Sequence, residues 1–178
     1  MTTDYEFTLK FAIPEAIAPE QLEERLFEAG CDDAILGLGQ PGRLALNFTR
    51  EASSAETALV SALTDVRKAI PEARLVEAGP DLVGISDIAR LLDFSRQNMR
   101  KLIQTHLANF PLPLHEGKSA IWHLADVLEW FIQRKDRPVE NSLVQVAKAS
   151  MEVNFARESS RVDPKLQERV RPVLAKLS

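Results

Sequence analysis

The chain has 178 residues, 45% of them hydrophobic and 27% charged, with a formal net charge of −4. That is enough apolar material for one ordinary domain or two small ones. No apolar run approaches the roughly 20 residues of a membrane span. The single Cys31 excludes an internal disulfide and, with no signal-peptide pattern at Met1–Glu6, points to the cytoplasm. Charge is unevenly placed: residues 1–80 hold seven basic and fourteen acidic groups, residues 81–136 seven of each, and residues 137–178 eight basic and five acidic. A broad basic surface is therefore absent, and any contact with nucleic acid has to be local.

Tyr5, Phe7, Leu9, Phe11 and Ile13 alternate with Glu6, Thr8 and Lys10, the period-two pattern of a half-buried strand, ended by Pro14. Pro19 to Gly30 reads as a helix, with proline and acids in its first turn and glycine to stop it. Ala34 to Leu38 is a short strand, Gly39-Gln40-Pro41-Gly42 a turn, and Leu44, Leu46 and Phe48 alternate in a further strand. Ser53 and Glu56 have capping-box spacing for a helix to about Ile70, with Leu59, Leu63, Val66 and Ile70 as its inner stripe and Pro71 after it. Ala73 to Ala78 completes a β-α-β-β-α-β order, the ferredoxin-like split pattern, over residues 1–79. Gly79-Pro80 marks the boundary to a second unit.

Little in this first unit points to chemistry. Cys31-Asp32-Asp33 is a polar loop after a helix before it is a metal or thiol site. Gly37, Gly39 and Gly42 spell a dinucleotide fingerprint, but between hairpin strands and with no helix to follow. The Asn47-Phe48-Thr49 sequon is without meaning in a cytoplasmic chain.

Two short amphipathic helices follow. Ser86 is placed to cap the first and Ser95 the second, with Asp93-Phe94 as the tight turn between them. Ile88, Ala89 and Leu92 share one face; Met99, Leu102 and Ile103 share the other helix's inner face. This is the outline of a helix-turn-helix. Ser95, Arg96, Gln97, Arg100, Lys101 and Gln104 remain for the outside of the second helix, which has no acid from Ser95 to Gln104. Arginine can fork onto guanine, glutamine can pair with adenine and lysine neutralises phosphate. The competing reading is an ordinary solvated basic face.

Phe110-Pro111-Leu112-Pro113 then leads into extended chain, a turn at Glu116-Gly117 and extended chain to Trp122, and Leu124 to Phe131 reads as a third helix. The Ile88-Ala89 pair, Ser95-Arg96-Gln97, Phe-Pro-x-Pro at 110–113, the closing Trp122 and Asp126-Val127 followed by Trp130 occur in one order over about fifty residues. In these features residues 82–133, within a unit expected over 80–136, resemble the winged helix-turn-helix of MerR-, AlpA- and excisionase-type bacterial and phage DNA-binding proteins. Asp93 departs from the glycine usual in such turns, although aspartate can adopt a left-handed backbone. The resemblance implies a non-enzymatic, cofactor-free protein that reads double-stranded DNA with the helix at 95–105. His115 and Lys118 flank the tip of the wing, where phosphate contact is natural. A transcription regulator, including an antitoxin-type autorepressor whose N-terminal domain holds a toxin partner, fits this expectation. The alternatives are an excisionase-like architectural factor and a protein-interaction adaptor with a vestigial helix-turn-helix.

His106, His115 and His123 have no closely spaced cysteine or carboxylate partners of zinc-site type, and no nucleophile-base set has usable spacing. Residues 137–178 contain two helices. One runs from Asn141 or Ser142 to about Arg157, with Leu143, Val146, Ala147, Met151 and Phe155 on one side. The other starts at Asp163-Pro164, carries Leu166, Val170, Val173 or Leu174, and Leu177, and has Pro172 inside. A neutral unit with one basic helix binds DNA weakly as a single copy. These stripes are accordingly expected to form a homodimer, with an intrachain buttress as the competing role. The expected fold class is α+β.

Overall fold

In a computed structural model, residues 1–135 and 137–177 are described; Asp136 and Ser178, the ends of the expected second and third segments, lie outside them. The elements are β1 (Thr3–Ala12), α1 (Pro19–Glu28), β2 (Ala34–Gly37), β3 (Arg43–Ala52), α2 (Ala55–Ala69), β4 (Arg74–Gly79), β5 (Leu82–Val83), α3 (Ile85–Leu91), α4 (Arg96–Thr105), β6 (His115–Glu116), β7 (Ala120–His123), α5 (Leu124–Arg134), α6 (Asn141–Ser159) and α7 (Pro164–Leu174). The fold is α+β, as expected.

The first four strands form one antiparallel sheet in the order β2-β3-β1-β4. Alternation in β1 and β3 puts Tyr5, Phe7, Leu9 and Phe11 beside Leu44, Leu46 and Phe48 on one face, all buried. Phe7 and Phe48 are register partners and their rings stack at 5.1 Å. α1 contributes Leu22 and Leu26 to this core, and α2 contributes Leu59 and Val66 together with Ala55, Ala58, Ala62 and Ala69. The alanine stripe adds little surface but lets the helix backbone lie close to the sheet. Gly30 ends the α1 segment at φ +101°, a conformation that suits glycine.

Two expected caps move. Ser54, not Ser53, caps α2, its hydroxyl accepting from Thr57 N–H at 3.1 Å. Ser86 lies inside α3. That helix starts after Gly84, whose N–H donates to Asp87 Oδ2 at 3.1 Å, so the N3 carboxylate does the work assigned to the serine. Ser95 does cap α4, accepting from Asn98 N–H at 3.1 Å. Asp93 sits at φ 57°, left-handed, in the turn between α3 and α4.

The second core gathers Ile88, Ala89, Met99 and Ile103 from α3 and α4 with Leu124, Val127, Leu128 and Phe131 from α5. Aromatic edges close it: Phe110 lies 5.9 Å from Trp122 and 4.9 Å from Trp130, both edge-on. Trp122 is buried and its indole N–H donates to the Pro111 carbonyl at 2.9 Å. A second small sheet, β5-β7-β6, holds the β6–β7 hairpin against the start of this unit.

The largest departure from expectation is α6. Its Val146 and Ala149 belong to the first core and its Val144 and Ala147 to the second. Tyr5 Oη donates to Gln145 Oε1 at 3.0 Å. Val146, expected to face a second chain, is 1% exposed within its own; this part of the α6 stripe serves as an intrachain spine, while Phe155 stays exposed. At the junction, the Asn154 amide closes on β4 like a further strand residue, accepting from Ala78 N–H and donating to Ala78 carbonyl, each at 2.8 Å. It also donates to the buried Asp81 at 2.7 Å, and the other Asp81 oxygen lies 2.7 Å from His123 Nδ1. Among the described residues, no helix is long and apolar enough to cross a membrane.

Candidate nucleic-acid interface

α4 is oriented by two buried residues, Met99 and Ile103, with Leu102 half-buried beside them. At about 100° per residue, Gln97, Lys101 and Gln104 then point directly away from the core. Arg96 and Arg100 occupy one flank, and all five are exposed. Among the described residues, no ion pair engages Arg96, Arg100 or Lys101. Many other cations are neutralised: Lys10 by Glu77 at 2.8 Å, Lys68 by Asp65 at 3.1 Å, Arg90 by Asp87 at 3.3 Å and Lys148 by Glu129 at 3.8 Å. α4 thus offers three uncompensated cations and two amides from a rigid element whose far side is packed.

Ser95 is exposed, but its hydroxyl is engaged as the cap, so its role is to fix the first turn. The sequence reading passed over Asn98. It is exposed in that same first turn, and its phase, one residue before Met99, was legible.

The hairpin carries the remaining expected residues. His115 pairs with Ile121 and Glu116 with Ala120, leaving Gly117, Lys118 and Ser119 as the tip. His115 and Lys118 are exposed. The His115 ring lies over Gly117, where an added Cβ would come within 2.7 Å of Nε2. Glycine at 117 therefore leaves the imidazole room to fold over the tip. The structure gathers the α4 residues on one helix and sets His115 and Lys118 apart on the hairpin.

The three histidines have three separate settings. His106 ends α4 with its ring 5.6 Å from Trp130, and Arg134 Nη1 lies 3.3 Å from its ring nitrogens while the guanidinium stacks 4.6 Å above the same indole. His123 faces Asp81, and His115 is at the hairpin. Among the described residues, no group of three His, Cys, Asp or Glu side chains could hold a metal ion.

The Cys31-Asp32-Asp33 loop resolves into a structural ion cluster. Arg50, 7% exposed, donates from Nε and Nη2 to Asp33 at 2.7 and 2.9 Å, from Nη1 to Asp65 at 2.9 Å and Ser61 at 3.1 Å, and from Nη2 to the Gly30 carbonyl at 2.7 Å. Every guanidinium N–H has a partner. Hydrogen bonding to Asp33, and then to Asp65, pushes its pKa up against the cost of burial. Burial pushes the neighbouring Cys31 thiol up to about 11, with Arg50 pulling the other way, so the sulfur stays protonated and inert at neutral pH.

No family model, curated protein or solved structure matches the chain.

Proposed function

We propose that the protein is a sequence-specific DNA-binding protein of the transcription-regulator kind, reading the major groove with α4. On this reading residues 1–79 form a ferredoxin-like domain and residues 80–136 a winged helix-turn-helix, with β6–β7 as the wing. The β-α-β-β-α-β order with strand order β2-β3-β1-β4 supports the first assignment. The left-handed Asp93 turn, the Ser95 cap and the hairpin set between α4 and α5 support the second. The observation that carries the function is the outer face of α4: Gln97, Arg100, Lys101 and Gln104 exposed with no acid among them, on a helix fixed from behind by Met99 and Ile103. These side chains match base edges and phosphates in both reach and donor pattern. Lys118 and His115 serve the backbone beside the groove. Two copies on a two-fold axis double the few phosphate contacts and call for a pseudo-palindromic site with half-sites about one helical turn apart, or a multiple.

A gel-shift of the full chain against fragments of its source genome, including the promoter upstream of its own coding sequence, tests this. Retention of a discrete fragment, weakening steeply with salt, is the expected result. Absence of any retained fragment at low salt defeats the proposal.

A further inference from the structure

α7 has no buried residue. Its Leu166 and Val173, and Leu177 just beyond it, are 51, 58 and 77% exposed. With Val170 they follow one another at four, three and four residues, a single stripe of the kind that forms a helix-helix seam. An eleven-residue helix is marginal in water by itself, so the stripe calls for cover. Its own α6 does not supply it. The notch between α6 and α7 is lined from the α7 side by Pro164, Gln167, Glu168 and Arg171, the polar flank.

A surface of the opposite character lies on the same chain. A cleft of about 720 Å3 opens between the end of β4, β5, the approach to the hairpin and α6 from Met151 to Glu158. Leu82, Leu114 and Phe155 line it, 43, 59 and 64% exposed, and Glu77, Glu152 and Glu158 line it as well, with Arg157 among them. We propose that this cleft receives α7 of a second copy, reciprocally, so that each chain gives one helix and takes one. A helix laid apolar side down in a groove is an established mode of recognition. Charge decides between this and pairing of α7 with α7. Lys165, Arg169 and Lys176 fall beside the stripe at helical phase with no acid among them, so two such helices side by side repel, whereas the cleft has more acids than cations in its lining. Glu77 is held by Lys10, and Glu158 by Arg157 and Arg161; among the described residues Glu152 has no ion-pair partner in its own chain. Leu114 adjoins β6, so the docked helix would also brace the hairpin. The inference stands independently of DNA binding.

Sedimentation equilibrium of the full chain reads it out. The wild-type chain is a dimer. Leu166→Glu with Val173→Glu is a folded monomer, since neither residue supports its own chain's core. Glu152→Lys with Glu158→Lys is monomeric, and so is Lys165→Glu with Arg169→Glu, the two cations beside the stripe. An equal mixture of these two charge variants is again dimeric, because each helix now meets a cleft of opposite sign. Circular dichroism and thermal melting check that each variant is folded. If the lysine variant melts early, Glu152→Gln with Glu158→Gln serves instead, with a dimer Kd raised on the order of tenfold. A monomeric wild-type chain overturns the proposal. So does a dimer that survives charge reversal of the cleft, or a mixture of the two variants that stays monomeric.

Discussion

Arg50 and the arginines of α4 are the same chemical group put to opposite uses. Arg50 lies near the end of the inner strand β3, its five N–H groups divided among Asp33, Asp65, Ser61 and the Gly30 carbonyl. Its guanidinium also lies 5.0 Å from the Phe48 ring centroid. Arg96 and Arg100 stand in solvent with no ion pair among the described residues. A guanidinium whose donors are all spent inside the chain organises a fold; one whose donors are all free can organise a ligand. Composition alone does not distinguish them. Burial and partners do, and the two regions are expected to respond to substitution in opposite ways.

The largest effects belong to packing. Trp122→Ala removes a buried indole, its hydrogen bond to Pro111 and its edge contact with Phe110. It should lower stability by about 3–5 kcal/mol, measured by urea unfolding, and weaken DNA binding only as far as the unfolded fraction rises. A Trp122→Ala protein as stable as the parent would mean that the hairpin is not anchored by this residue. Arg50→Ala leaves Asp33 and Asp65 facing each other without their cation, at about 3 kcal/mol. That is near the low end for buried pairs, because the Asp33 side chain keeps 27% of its exposure. Arg50→Lys should recover only part of this, as an ammonium cannot reproduce the fork onto Asp33. Equal stability of the alanine variant would remove the cluster from the account of the fold.

Arg100→Ala should do the reverse. Unfolding stays within about 0.5 kcal/mol of the parent, as at other exposed surface positions, while affinity for a selected DNA site falls by about 1–3 kcal/mol and affinity for random DNA changes little. Equal losses on both DNAs would assign Arg100 to the phosphate backbone.

Cys31 gives a quieter probe of the first region. Its folded pKa of about 11 lies above the ordinary value of 9.0. The protonated thiol therefore supports the fold fully below pH 9, and that support is lost as pH rises through about 11. A thiol reagent at pH 8 should label native protein far more slowly than unfolded protein. Rapid labelling of the native chain would show that the thiol is open to solvent. Smallest of all, Lys118→Ala should lower the slope of log affinity against log salt by about one; an unchanged slope would remove the hairpin tip from the DNA contacts.

What the sequence revealed follows from how local each cause is. β1 was legible because Tyr5, Phe7, Leu9 and Phe11 face one core, so period two survives intact. α4 was legible because it buries one side and leaves the other to solvent. α6 was legible as a helix but not in its two-sided packing, because Val144 and Ala147 serve one core and Val146 and Ala149 another; a helix buried on two sides loses the one-sided stripe from which burial is inferred. The strand β5 is two residues long and exists through its pairing with β7, which no local pattern announces. The cap of α2 fell on Ser54 because adjacent serines are equivalent until the helix phase is fixed by Ala55, Ala58 and Leu59. Arg50 was missed since its partners come from the α1–β2 loop and α2, seventeen residues before it and fifteen after.

The central claim, that the outer face of α4 reads DNA, is tested most directly by the ratio of affinities for a duplex selected from a random library and for an unselected duplex of equal length. The ratio should be measured at one fixed salt concentration for the parent chain and for Gln97→Ala with Arg100→Ala. The expected result is a large ratio for the parent that collapses toward one in the variant, whose thermal melting is unchanged. A variant that selects the same sequence with the same ratio, or a parent chain that shows no preference at all, would contradict it.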